Sequence, residues 1–223
     1  VKGTEFSSYV YIFLAGKRVK PDAVSILFLG LGSGGGPRLY HETYPEMEIE
    51  AVEIDPAVVD VAKKYFSLPA DITVHINDGR AFLSRTEKKY DIIVVDTYSG
   101  GSFPSQMTTV EFVRLARERL SPGGVIVVNI LGSKTGDTSL FWRAEFKTYR
   151  EVFKNVSVER LDDVGITHNI IVASDSALSE GVRYVYTEDV PVLRDELAPV
   201  ETLAAPVIEE MYQELSKALP RFI

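Results

Sequence analysis

The chain has 223 residues, with 24 Lys and Arg against 32 Asp and Glu, for a formal charge of −8. Hydrophobic residues at 45% and charged residues at 25% match a globular domain and exclude an intrinsically disordered segment. The absence of cysteine excludes a disulfide scaffold, a thiolate metal site and a Cys nucleophile, while the acidic balance disfavours nucleic acid and suits a cationic substrate.

The chain opens on Val1, and no signal-peptide pattern follows, so it reads as a processed or partial chain. No apolar run approaches the ~18 residues of a membrane span. Residues 1–24 read as a helical lead-in. Ser25-Ile-Leu-Phe-Leu29 is a short apolar run ending in glycines, a buried strand, and Pro37 to Tyr44 reads as the helix behind it. Glu48 to Glu53 is a second strand. Asp55 and Pro56 then supply an N-cap and a first-turn proline for a helix through Phe66, with Val58, Val59, Val61, Ala62 and Tyr65 on its apolar face. Ile72 to Ile76 alternates as a third strand, and Asp78 caps a helix through Glu87. Asp91 to Val95 is continuous and β-branched, as a central strand covered on both faces requires. Thr108 opens a helix through Leu120, Ser121-Pro-Gly-Gly124 turns, and Val125 to Leu131 is a fifth strand. A helix from Ser139 to Phe153 and strands at Val156–Leu161 and Asn169–Ala173 follow. Pro199 to Leu219 is a terminal helix interrupted or restarted at Pro206.

This alternation predicts an α/β domain with a mostly parallel sheet. The loop between the last two strands is too short for a parallel crossover, so they should pair antiparallel. The expected fold is therefore the Rossmann-like class I methyltransferase layout: seven strands, the last one reversed. Residues 25–175 should form its body, and residues 176–223 a helical segment completing the same domain.

Gly30-Leu-Gly-Ser-Gly-Gly-Gly36 joins a strand to a helix, where glycines permit positive φ and close approach to a ligand. Gly30, Gly32 and Gly35 also fit the dinucleotide pattern G-x-G-x-x-G, so the loop alone does not choose a ligand. Glu53, about twenty residues further on, is placed to accept ribose hydroxyls, a device that nicotinamide and S-adenosyl ligands share. Asn77-Asp78-Gly79 at the end of the third strand, Asp96 at the end of the fourth and Leu120-Ser-Pro-Gly-Gly124 before the fifth favour the S-adenosyl sulfonium. The expected cofactor-binding residues are Gly30, Gly32, Ser33, Gly34, Glu53, Asp78, Gly79 and Asp96.

Leu29-Gly-Leu-Gly-Ser-Gly-Gly35, Val52-Glu-Ile-Asp-Pro56, Asn77-Asp-Gly79, Tyr90-Asp-Ile-Ile-Val-Val-Asp96 and Leu193-Arg-Asp-Glu-Leu-Ala-Pro-Val-Glu201 together resemble the spermidine synthase (polyamine aminopropyltransferase) family, above all its divergent spermidine-synthase-like members. The resemblance implies a transferase using S-adenosylmethionine or its decarboxylated form, a small amine or similar nucleophile as substrate, and a homodimer. A cytoplasmic setting is expected with it. The family's working enzymes carry a carboxylate in the glycine loop, and here that place is Ser33. Their Asp-Ser/Thr-Thr/Ser-Asp motif becomes Asp96-Thr-Tyr-Ser99, and their Tyr-His-Glu stretch becomes Tyr9-Val-Tyr11 without the His. Beside the family's pattern, the N-terminal β-hairpin segment that helps cover its active site is expected to be missing or shortened here.

A cationic aminopropyl arm needs nearby negative charge, whereas S-adenosylmethionine carries a carboxylate on that arm. An Asp at ~4 Å would repel that carboxylate by roughly 1 to 4 kcal/mol, and Ser33 would not. Methyl transfer is thus the leading expectation. Aminopropyl transfer, with carboxylates supplied from elsewhere, and a non-catalytic binding domain are the alternatives. Asp96 is the expected catalytic group, because an amine nucleophile must lose a proton and Asp96 ends the central strand. Tyr98, Asp195, Glu196 and Glu201 are the expected substrate contacts; Tyr98 and Phe103 could close a lid over the ligand, or their loop could be a plain surface connector. His41, His75 and His168 have no metal-ligand spacing, and His75 reads as a satisfied, partly buried imidazole.

Overall fold

The computed structural model describes residues 8–98, 103–160, 165–178, 181–183 and 185–218. The sheet has seven strands: β1 (Ser25–Leu29), β2 (Glu48–Glu53), β3 (Thr73–Ile76), β4 (Tyr90–Val95), β5 (Leu120–Gly132), β6 (Asn155–Arg160) and β7 (Thr167–Ser174). Their order across the sheet is β3-β2-β1-β4-β5-β7-β6. The pairs β1–β2, β1–β4, β2–β3 and β4–β5 are parallel, and β7 runs antiparallel to both β5 and β6. The last strand thus inserts between its two predecessors. The parallel strands are joined by crossover helices, as parallel pairing requires: α2 (Gly35–Thr43), α3 (Pro56–Tyr65), α4 (Gly79–Arg85) and α5 (Val110–Glu118). α6 (Leu140–Arg150) precedes β6, and α7 (Val200–Ala218) closes the described chain.

Two apolar clusters cover the two faces of the sheet. One face packs Leu27, Leu29, Ile93, Val95, Ile126 and Val128 against Phe112, Phe141, Phe146 and Tyr149 of α5 and α6, with Leu193, Val200 and Ala204 from the terminal segment. The other packs Ile26, Phe28, Ile92, Val94, Val125 and Val127 against Leu39, Tyr40, Val59 and Ala62 of α2 and α3, and against Val10 and Phe13 near the start of the chain. Strand alternation sends successive side chains to opposite clusters, which is why these strands read as unbroken apolar runs. The short helix α1 (Ala15–Val19) follows a 3-10 turn at Ser8–Leu14. That lead-in is fastened by Tyr40, whose hydroxyl donates to the Phe13 carbonyl at 2.8 Å.

Several boundaries differ from the sequence reading. α2 starts two residues before Pro37, capped by Gly34 at φ +79°. α5 is capped by Thr109 rather than Thr108: the Thr109 hydroxyl accepts from Phe112 N at 3.3 Å. The expected turn at Ser121–Gly124 is absorbed into β5. There Gly123 at φ +72° and a register break between Tyr90 and Ile92 bulge the ladder without ending it. Pro206 neither interrupts nor restarts α7, which runs through it.

Candidate active site

The glycines after β1 are needed where strands β1 and β4 finish side by side. Gly30 has φ +93°, and a Cβ there would lie 2.1 Å from the Asp96 carbonyl oxygen, so no other residue fits. Asp96 N in turn donates to Leu29 O at 2.9 Å, and Gly30 N to Val52 O at 2.9 Å. These bonds hold the ends of β1, β2 and β4 level. Gly32, at φ +52°, would carry a Cβ with nothing within 4 Å, leaving open space at the loop. Gly34 instead serves the helix: its N–H donates to Leu31 O, and a Cβ there would strike Leu68.

Above these strand ends lies a crevice of about 710 Å³, within the range of small-ligand sites. Its lining includes Gly30, Gly32, Glu53, Asp55, Asn77, Asp78, Gly79, Asp96, Tyr98, Met107, Asn129 and His168. The acids there are Glu53, Asp55, Asp78 and Asp96, and no described Lys or Arg lines it. Glu53 is oriented from both sides: Oε2 accepts from Leu31 N and Oε1 from Asp55 N, each at 3.0 Å. Asp55 caps α3 through Ala57 N, and Asp78 caps α4 through Ala81 N, both at 2.8 Å. Tyr98 donates to Met211 Sδ at 3.6 Å and packs on Phe103, which packs on Phe141. Residues 99–102 of that loop, Ser99 included, lie outside the described residues.

Within the crevice lining, Asn129 donates its amide to Asp96 Oδ1 at 2.9 Å, and its carbonyl oxygen meets His168 Nδ1 at 2.8 Å. Burial raises the Asp96 carboxyl above its usual pKa against the opposing pull of the Asn129 bond, and burial lowers that of His168. Sequence reasoning missed this pairing. Its signal was available in strand register: Asn129 follows Val125 and Val127 in the alternating row of β5, as Asp96 follows Ile92 and Val94 after β4.

The other expected contacts lie elsewhere. Ser33 is exposed and, like Gly34, does not line the crevice. Asp195 is engaged by Arg80 in a two-pronged pair at 2.8 and 2.6 Å and by the Thr109 hydroxyl at 2.6 Å. The guanidinium holds the Asp195 carboxyl below its usual range. Glu196 and Glu201 are exposed and do not line the crevice. His75 binds Glu50 at 2.6 Å as a partly buried imidazole, and Trp142 is buried, its indole N–H donating to Ser133 O at 2.8 Å.

Strand order, the reversed final strand and a crevice at the carboxyl ends of β1, β2 and β4 define a class I methyltransferase fold. Residues 16–159 match the family described as "Spermine/spermidine synthase domain", and the chain belongs to it. The chain is 40% identical over 160 residues to a "Probable polyamine aminopropyl transferase" of Bifidobacterium longum, covering 72% of this chain and 36% of that protein. It is 35% identical to an "N-terminal histidine N-methyltransferase" of Emericella nidulans, covering 57% of this chain and 23% of that one. It thus spans about a third or less of these relatives' length. The crystal structure of a probable spermidine synthase from Corynebacterium glutamicum shares the fold with a TM-score of 0.70 at 23% identity, covering 79% of this chain and 67% of that one.

Proposed function

We propose that this chain transfers the methyl group of S-adenosylmethionine to an amine. The crevice fits the adenosyl part of such a ligand. Gly32 leaves space for close backbone approach. Glu53, fixed by two backbone N–H groups, keeps lone pairs for ribose hydroxyls, and Asn77, Asp78 and Gly79 edge the place expected for adenine. The bound ligand supplies an electrophilic carbon on a positively charged sulfur. The chain's own part is to align a nucleophile and exclude water. Asp96 is the carboxylate assigned to the reacting centre, where it accepts an N–H of the amine and offsets its charge. Tyr98, anchored on Met211, is proposed to flank the substrate.

The observation that favours methyl over aminopropyl transfer is the whereabouts of the carboxylates. The glycine loop offers Ser33 where the working family enzymes carry an acid, and Asp195, Glu196 and Glu201 do not line the crevice. An aminopropyl arm would need such charge near its ammonium. A second reading, aminopropyl transfer from decarboxylated S-adenosylmethionine, draws support from the four acids of the crevice, which among the described residues offers no Lys or Arg to a methionine carboxylate. Calorimetry with both donors, and mass spectrometry of spermidine incubated with each, separates the two. Tighter binding of S-adenosylmethionine and a methylated amine are expected; tighter decarboxylated donor and an aminopropylated amine would reverse the assignment. The homodimer and cytoplasmic setting implied by family resemblance are part of the proposal, and light scattering tests the former.

A further inference from the structure

Asp96, Asn129 and His168 come from three adjacent strands and share one face of the sheet. The rows Ile92–Val94–Asp96 on β4 and Val125–Val127–Asn129 on β5 run toward the crevice in parallel. β7 runs the opposite way, so its row Val172–Ile170–His168 reaches the same edge from its beginning. In each row an apolar run reaches a polar residue at the crevice, and on β5 Leu131 follows Asn129 and pairs with His168. The chain spends its antiparallel strand on bringing an imidazole to the edge where the parallel strands deliver their acids.

The bridging amide fixes the imidazole's tautomer. Asn129 donates its N–H to Asp96, so its oxygen is the atom facing His168, and that oxygen can only accept. Nδ1 therefore carries the ring proton, and the basic lone pair is on Nε2. We infer that His168 is a catalytic residue, the proton acceptor for the amine substrate, with Asp96 remaining ionised beside it and Asn129 positioning both. The inference rests on the amine-alkylating reading above and adds the destination of the proton.

The charges explain why two acceptors are needed. A proton taken by Asp96 would cancel the negative charge that holds an ammonium next to a sulfonium; a proton taken by His168 leaves that charge in place. The step is balanced: the ammonium N–H bond breaks, and its proton bonds to Nε2. The freed nitrogen lone pair forms the new C–N bond as the C–S bond breaks, its electrons leaving with neutral sulfur. Neighbouring cationic charge lowers the ammonium's pKa and narrows the gap that the proton must cross. Burial lowers the His168 pKa and so favours the unprotonated ring, the form that has a lone pair to offer.

Among the described residues, charged groups near His168 come from the crevice lining and from β6. Asp96, Glu53, Asp55 and Asp78 line the same crevice, as does Tyr98. On β6, Glu159 shares the face of His168 and is paired with Arg18, while Arg160 donates to Asn169 on the opposite face.

The test uses the protein loaded with S-adenosylhomocysteine and titrated with spermidine, while the ring nitrogens of His168 are followed by nitrogen NMR. His168→Asn keeps an N–H toward Asn129 and removes Nε2. Spermidine should move the Nε2 resonance. Its Kd should rise about tenfold as pH falls through the titration of His168, as adjacent like charges require, and that component should vanish in His168→Asn. The variant should bind S-adenosylhomocysteine normally, which also shows that it is folded. Its methylation rate should fall about 10²-fold, with the acidic limb of the pH profile flattened. A stationary resonance, or no spermidine bound with the adenosyl ligand in place, overturns the inference alone. Failure of the native chain to bind S-adenosylhomocysteine overturns the functional reading beneath it.

Discussion

Burial works against a charge on Asp96, raising its carboxyl pKa, and among the described residues the Asn129 amide opposes the shift. The sign of the effect on stability follows from proton counting. From the ordinary carboxylate value of 3.8 up to its raised folded value, the folded chain holds a proton that the unfolded chain has lost. Stability therefore falls as pH rises through that interval and is constant above it. Asp96→Asn removes the charge while its Oδ1 can still accept from Asn129. The variant should melt higher at pH 7 by about 2–4 °C for each kcal/mol recovered, and lose about 10²-fold or more in turnover. Calorimetric melting and a methylation assay check both halves. A lower melting point would mean that the charge is compensated by groups other than Asn129. Glu53 is a contrasting case: two backbone N–H groups receive its carboxylate, so this acid is held by the loop it helps to order.

At the scale of the element, α6 shows what an apolar face can conceal. Phe141, Trp142, Ala144, Phe146 and Tyr149 are buried, as helical spacing predicts, but so is Glu145, at 3% exposure. Burial alone raises its carboxyl pKa to about 8, and one turn on, the Tyr149 hydroxyl is buried with no hydrogen-bond partner among the described residues. Between 4.5 and about 8 the folded chain keeps the Glu145 proton that the unfolded chain gives up, so stability is fully present below that window and declines across it. Thermal melts of Glu145→Gln should lose this part of the decline between pH 5 and 8, and the variant should gain most over the native chain near pH 8. Parallel pH profiles for the two proteins would show that Glu145 is solvated or paired when the chain is in solution. The boundaries that sequence reading missed belong to this scale too. Ser121-Pro-Gly-Gly124 has the composition of a turn, but a glycine at positive φ can equally bulge a strand, and the neighbouring ladder decides which. Pro206 was expected to break α7. A helix tolerates the loss of one N–H when one of its faces is packed, and Val200, Ala204 and Val207 are buried.

Across the whole molecule, the segment before α7 is fastened to the domain rather than to its ligand site. Leu193 N donates to the Thr148 hydroxyl at 2.9 Å, Asp195 N to Glu111 at 3.0 Å, and the Asp195 carboxylate receives Arg80 and Thr109. Arg80 also donates to the carbonyl of Gln106, which lines the crevice, so the terminal segment braces the site from outside. The Arg80–Asp195 pair is partly exposed, and such pairs contribute about 0–1 kcal/mol. Asp195→Asn should accordingly change stability by no more than about 1 kcal/mol and leave spermidine affinity unchanged. A tenfold loss of spermidine affinity would return Asp195 to the substrate.

The sequence by itself determined the sheet's constituents, the reversal of its final strand and the glycine-rich junction after β1. These follow from local facts: apolar runs that must be covered on both faces, a connection too short to cross over, and glycines that alone tolerate positive φ. That Glu53, Asp78 and Asp96 would line one crevice was legible for the same reason, since each ends or follows a strand and strand ends meet at one edge. The partners of these residues were decided only in three dimensions. Asn129 and His168 are separated along the chain and carry no motif; they meet Asp96 because β7 inserts next to β5 in antiparallel register. Asp195 was drawn away from the crevice by Arg80, a long-range pairing that composition and spacing do not encode. Spacing along a chain dictates which face and edge a side chain reaches, whereas contacts between strands distant in sequence depend on the order in which the sheet assembles them.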